Sequence, residues 1–284
     1  MLRSKPGRRS VLFISTRNRS SQIFIPQIVD AVHTNGSHIF LQLWAHGRTA
    51  DIELLKFENP SFEFVGASAI PISPAHPTPR PLTTDEIRTY VQWYADAANK
   101  AVNQAGFDGV ELHFANGYLP DQFLQDVSNQ RTDEYGGSVE NRARFPLEII
   151  EAVSKVVGED RVGFRISPWN PWQGMRMANP RPTFAYLVSE AKARFPDLAY
   201  LHAVEDRVAG GVEHEDDGES NEFLRKIWGK KVFIAAGGYT PQTAAETVET
   251  KGGLVAFGRH YISNVSFLSS IGLCKFDLTS SSQA

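Results

Sequence analysis

The sequence predicts an α/β fold with a parallel sheet, a (β/α)8 barrel that is incomplete, with about six of the eight strands. Three observations carry this. Short runs of nearly continuous apolar character recur along the chain, as parallel strands covered on both faces require. Segments with helical patterning separate them. Each run ends in polar residues or glycines at its C-terminal end, the face on which such barrels build their sites. An open doubly wound sheet would gather its site at one switch point, and no G-x-G-x-x-G follows any run.

The runs are Ile39–Trp44, Val110–Ala115, Val162–Ser167, Ala199–Val204, Val232–Gly237 and Leu254–Gly258. The residues at their ends are Gln42 and Trp44, His113 and Asn116, Arg165, His202 and Glu205, Gly237 and Gly238, and Gly258 and Arg259. Thr84 can cap a helix from Asp85 to Gln104, with Asp85 and Glu86 at its positive end and Gly106 stopping it. Ser138 can cap a helix from Val139 to Val157, whose Ile149, Ile150, Val153, Val156 and Val157 mark a buried face before Gly158. Thr240 and Pro241 open another, to about Thr250. Two longer connections interrupt the rhythm. Ala45–Thr83 holds a strand-like Ser68–Ile72 and the Pro-rich stretch Pro71–Pro81, and Trp169–Pro182 holds Trp172, Met175 and Met177. Each reads equally well as a wall of the site or as a surface connection.

With 284 residues, 42% hydrophobic and 21% charged, the chain can bury a sizeable core. A net charge of −3 gives no field to attract nucleic acid or an anionic membrane. No apolar run approaches the roughly 18 residues of a spanning helix. The lone Cys274 cannot form an internal disulfide, which fits a cytoplasmic protein. The start, from Met1 to Val29, has no acidic residue, and Arg3, Lys5, Arg8, Arg9, Arg17 and Arg19 alternate with serines. A mitochondrial transit peptide is the alternative reading of that segment, beside a disordered basic arm.

The stretch Gly106–Arg144, GFDGVELHFANGYLPDQFLQDVSNQRTDEYGGSVENRAR, resembles the signature of the Old Yellow Enzyme family of FMN-dependent oxidoreductases. Further matches fall in order: IFLQLWAHGR at Ile39–Arg48, PRPLTTDEI at Pro79–Ile87, VGFRISPW at Val162–Trp169, AYLHAVE at Ala199–Glu205, AAGGYT at Ala235–Thr240 and AFGRHYISN at Ala256–Asn264. QLWAHGR and SPW are similar to fungal members acting in secondary metabolism. The resemblance divides the chain into an unmatched basic segment, 1–21, an FMN-binding barrel domain, 22–264, and a divergent tail, 265–284.

The resemblance implies a mechanism. NAD(P)H reduces FMN, and the reduced flavin gives hydride to the β-carbon of an alkene conjugated to a carbonyl, an enone or enal. A protein acid then protonates the α-carbon. It implies that His113 and Asn116 donate hydrogen bonds to the carbonyl oxygen, as an oxyanion hole does, and that Tyr118 is the proton donor. Some fungal relatives carry an apolar aromatic in its place and act as isomerases, so Tyr118 favours reduction. Gln42 matches a contact to the flavin's pyrimidine edge, and Arg165 a fixed charge near N1 and the C2 carbonyl. Gly237, Gly238, Gly258 and Arg259 match the phosphate site. A homo-oligomer is left open.

Other charged residues read as structural. Asp133, Glu134, Arg142 and Arg144 suit loop and helix-start pairing, and His202, Glu205, His214, Glu215 and Asp216 suit a solvated loop rather than a metal site. The chain departs from the family at both ends. Its first two barrel strands, which contact the flavin in relatives, have no counterpart, and the pattern fails from Val265 onward. Two open sheet edges would follow, with weakened FMN affinity or an inactive remnant as the consequence.

Overall fold

A computed structural model of the chain describes residues 2–3, 19–209, 212–213, 218–258 and 261. Six parallel strands form one curled sheet: β1 His38–Leu43, β2 Gly109–Phe114, β3 Val162–Ile166, β4 Tyr200–Val204, β5 Phe233–Ala236 and β6 Leu254–Ala256. They lie side by side in chain order, and Leu2–Arg3 adds an antiparallel pairing on the outer edge of β1. Among the described residues β1 and β6 are not paired with each other, so the sheet is part of a (β/α)8 barrel rather than a closed one. Each strand lies within or one residue outside its predicted run. Arg259 and the tail lie outside the described residues.

Helices alternate with the strands: α1 Arg19–Thr34, α2 Ile52–Glu58, α3 Thr84–Asn99, α4 Leu119–Leu124, α5 Val139–Val157, α6 Arg181–Arg194, α7 Glu222–Trp228 and α8 Pro241–Lys251. The cap of α3 is Thr83, not the expected Thr84. Thr83 has Glu86 three residues on, so each side chain satisfies the other's backbone N–H in a capping box. From Thr84 the corresponding position is Ile87, which is fully buried and has no acceptor. The expected single helix to Gln104 is instead α3 followed by a π-helical turn, Lys100–Gln104, before Gly106 at φ 80°. Ser138 caps α5 by accepting from Asn141 N–H, and Gly158 at φ 88° ends it. Thr240 caps α8.

Ser68–Ile72 is not a strand. The short ladder in that connection joins Val65–Gly66 to Arg80–Pro81. The carbonyls of Ile70 and Pro71 instead accept from the Arg48 guanidinium, so they serve a loop contact rather than a sheet.

The sheet separates two apolar regions. On the helix side, Leu41, Val110, Leu112, Phe114, Phe164, Ile166, Leu201 and Ala203 pack against the buried faces of α3, α5 and α6. On the concave side, Phe40, Tyr200 and Ile234 form a small floor. Two glycines make that floor possible. A Cβ at Gly109 would lie 2.3 Å from the Phe40 ring, and one at Gly163 would lie 2.3 Å from the Tyr200 ring. Above this floor the concave side becomes polar, and there the candidate site lies.

Candidate active site

The polar layer is built on alternate strand positions, because side chains alternate faces along each strand. Gln42 and Glu111 are register partners on β1 and β2, and Arg165 and His202 are partners on β3 and β4. Gln42 Nε2 donates to Glu111 Oε1 at 2.6 Å, and Glu111 Oε2 lies 2.9 Å from His202 Nδ1. This corrects the sequence reading of His202: it is a fully buried strand residue bonded to a carboxylate, not part of a solvated loop. Glu205 follows β4 and accepts from Asn221, while His214, Glu215 and Asp216 lie outside the described residues. Glu111 was missed in sequence. Its only signal was a charged residue inside an otherwise apolar strand.

One step further along the strands, His113 is the register partner of Arg165. His113 is buried, and its pKa lies well below the ordinary imidazole value, through burial first and then the positive charge of Arg165. It is therefore neutral at physiological pH. Tyr118 packs beside it, with ring centroids 5.0 Å apart, and Trp44 stands edge-on to Tyr118 at 4.4 Å. Burial raises the Tyr118 pKa above 10, against a weaker opposing hydrogen bond from Gln173. The phenol thus keeps its proton at neutral pH. Arg165 is half-buried, and its Nε has no hydrogen-bond partner.

The chain turns sharply between His113 and Tyr118. Asn116 has φ 59° and Gly117 φ 79°, both left-handed. Asparagine tolerates that region better than most residues, and glycine enters it freely. At Gly117 a Cβ would also come within 2.9 Å of Met175. The turn is held by Asp121, whose Oδ2 accepts from Gly117 N–H, and by Gln122, which bonds His46 O and Gly117 O. Burial drives the Asp121 pKa up to about 7, although bonds from Gln125 and Gly117 and the charge of Arg48 pull the other way.

The two long connections meet over this turn. Arg48, 3% exposed, donates through Nη1 to Ile70 O and Pro71 O and through Nη2 to Gln173 O at 3.0 Å and Gly174 O at 3.2 Å. Gln173 Nε2 donates to Asn116 O, and Asn170 Nδ2 to Asn116 Oδ1, each at 2.7 Å. Both connections are therefore walls of the site. Arg48, Asn170, Gln173 and Asp121 carry no local sequence signal of these contacts.

Gly237 and Gly238 follow β5 with φ 110° and 57°, and Gly258 follows β6, so they share the C-terminal end of the sheet with the residues above. Arg207 lies beside them, donating to Gly237 O and stacking on Tyr239 at 4.5 Å. The donor set suits a flavin: an amide and a half-buried guanidinium with an unpartnered Nε at the mouth of the sheet, and glycines in left-handed conformations where an anionic tail would lie. The remaining charges near α5 are structural. Asp133 pairs with Arg131, Arg142 bonds Leu124 O, Gly137 O and Thr183, and Arg144 bonds Glu134 O. Among the described residues no group of three His, Cys, Asp or Glu side chains is placed to hold a metal, and no helix is long and apolar enough to cross a membrane.

Comparison with known proteins agrees with this geometry. Residues 20–273 match the NADH:flavin oxidoreductase / NADH oxidase family. The chain is 48% identical over 243 residues to chanoclavine-I aldehyde reductase fgaOx3 of Penicillium roqueforti, covering 84% of this chain and 64% of that protein. It is 47% identical over 251 residues, with the same coverage, to a protein of Epichloe festucae var. lolii named probable inactive reductase easA. The chain thus spans about two thirds of the length of these relatives, slightly less than that fraction. The crystal structure of Old Yellow Enzyme from Pichia sp. AKU4542 superposes with a TM-score of 0.79 at 34% identity, covering 89% of this chain and 67% of that one. This chain belongs to the NADH:flavin oxidoreductase / NADH oxidase family, and its described sheet is part of the (β/α) barrel of the Old Yellow Enzymes.

Proposed function

We propose that the chain is an FMN-dependent, NAD(P)H-consuming reductase of an alkene conjugated to a carbonyl. The observation that carries this reading is the packing of the His113 ring against the Tyr118 ring, with Asn116 on the intervening turn and Arg165 on the adjacent strand. FMN, when bound, supplies the hydride chemistry, and the protein supplies position and electrostatics. Gln42 and Arg165 would hold the ring. Arg165 would supply a fixed positive charge beside that ring. Gly237, Gly238, Gly258 and Arg259 would hold the phosphate. His113 and the Asn116 amide donate to the substrate carbonyl oxygen and stabilise the negative charge that grows there. Tyr118 holds a proton at Oη for the α-carbon. Trp44 stands edge-on to the Tyr118 ring, 4.4 Å between centroids, and supports its position.

The relative named as an aldehyde reductase makes an α,β-unsaturated aldehyde the favoured substrate class. Retention of Tyr118 disfavours isomerisation. A second reading, an inactive protein that holds FMN weakly, is favoured by the absence, among the described residues, of a pairing between β1 and β6 that would close the barrel, and by the relative named inactive. One experiment separates the two. The purified chain is incubated with FMN and desalted, and its visible spectrum is recorded. A retained flavin band that NADPH bleaches and 2-cyclohexenone restores supports the reductase. A colourless protein supports the second reading.

A further inference from the structure

We infer that Asn170 is a positioning residue that dictates which end of the Asn116 side chain faces the substrate. The inference rests on the reading of Asn116 as a donor to the substrate carbonyl. The two ends of an asparagine side chain have nearly the same shape, but only the NH2 end can donate. An Asn116 turned the wrong way would aim a carbonyl oxygen at a carbonyl oxygen.

The structure contains a chain of contacts that fixes the choice, and it begins at a group with no choice. The backbone N–H of Trp172 can only donate, and it lies 2.9 Å from Asn170 Oδ1. That identifies the acceptor end of Asn170, so the other end is NH2. Asn170 Nδ2 donates to Asn116 Oδ1 at 2.7 Å. That occupies the acceptor end of Asn116 and leaves Nδ2 as the end facing away from Asn170. The Asn116 backbone is fixed separately. Its N–H donates to Ser167 Oγ at 2.7 Å and its carbonyl accepts from Gln173 Nε2 at 2.7 Å, which holds φ at 59°. Asn170 is 2% exposed, so water does not compete for these contacts.

Replacing Asn170 with Asp tests the relay. The introduced carboxylate keeps the shape and still accepts from Trp172 N–H, but it offers Asn116 an acceptor instead of a donor. Asn116 then turns its NH2 inward and its oxygen toward the substrate. The probe is 2-cyclohexenone, and the measurement is its dissociation constant with the oxidised FMN-loaded protein at pH 8.5, read from the flavin absorbance. Asn170→Asp is expected to weaken binding about tenfold or more, and Asn170→Ala about threefold, the range of a lost or reversed hydrogen bond. A packing role gives the opposite order, because Ala leaves a cavity and Asp does not.

Two further readouts keep the inference exposed. Lowering the pH to protonate the introduced carboxyl restores a donor and should recover affinity. In an Asn116→Ala background, neither Asn170 substitution should weaken binding further. Asn170→Asp binding as tightly as Asn170→Ala, or tighter, overturns the inference, as does additive loss in the Asn116→Ala background. Should Asn170→Asp not fold, Asn170→Ala and the Asn116→Ala background decide by the same additivity. If Asn116→Ala alone leaves enone affinity unchanged, or the chain retains no FMN, the reading of the site fails and the inference falls with it. If Asn116→Ala weakens binding and Asn170→Asp does not, only the inference falls.

Discussion

The side-chain amide of Gln42 donates to Glu111 at 2.6 Å across the β1–β2 ladder, and both residues are buried. The same carboxylate reaches His202 on β4, two strands away, and its charge offsets the desolvation of Arg165 on β3. One acid therefore serves four strands. Removing a single member of a buried charged network leaves its partners uncompensated. Glu111→Ala is expected to cost about 3–5 kcal/mol in a denaturant titration. Glu111→Gln, which still accepts from Gln42, should cost less. Equal losses for the two would show that the charge carries the contribution and that the retained hydrogen bond adds nothing.

Arg48 fastens the two connections that wall the site. Its planar fork reaches carbonyls of both at once, which a lysine ammonium on a flexible stem does not reproduce. Arg48→Lys should raise the KM for an enone with little change in retained FMN, and limited proteolysis should cut faster near residues 70–76 and 172–177. An unchanged cleavage pattern would remove the clamp from the account.

Asp121 makes stability fall as pH rises. Below its ordinary value of 3.8, both folded and unfolded chains hold the proton. Between there and about 7 the folded chain keeps a proton that the unfolded chain has lost, so unfolding releases one and higher pH favours it. Above about 7 the penalty is constant. The span corresponds to roughly 2–4 kcal/mol. Glu148 and Glu205, also raised by burial, act in the same direction, whereas Glu86, held near 2 by Arg80, adds stability that is lost only in acid. Asp121→Asn should flatten most of the slope between pH 4 and 7 in thermal melts recorded across that range.

Tyr118 carries its phenolic proton at neutral pH, and burial raises its pKa further, so its removal should affect the proton-transfer step rather than binding. Tyr118→Phe is expected to slow reoxidation of the reduced protein by an enone by about 10²–10⁴-fold. Reduction by NADPH, followed in the same stopped-flow instrument, should change little. Loss of both half-reactions would place Tyr118 in binding.

Strand positions, the caps at Ser138 and Thr240, and the stops at Gly106 and Gly158 were legible in the sequence, because each depends on residues within a turn or two of one another. The resemblance of the Gly106–Arg144 stretch singled out His113, Asn116 and Tyr118, and these fall on one short strand and the turn after it. The cap at Thr83 shows the limit of local reading: two threonines were equally suitable until the partner three residues on was considered.

The rest was decided by tertiary structure. Alternation along a strand does not say which face becomes a polar interior, so Glu111 and His202 acquired meaning only when the sheet curled and brought β1, β2 and β4 around one carboxylate. Asn170 and Asn116 are 54 residues apart, and Arg48 and Gln173 are 125 apart. Hydrogen bonds of that reach leave no periodicity and no spacing to detect. The chemistry of the site was written in a short stretch of chain, and its orientation was fixed only when distant loops closed over it.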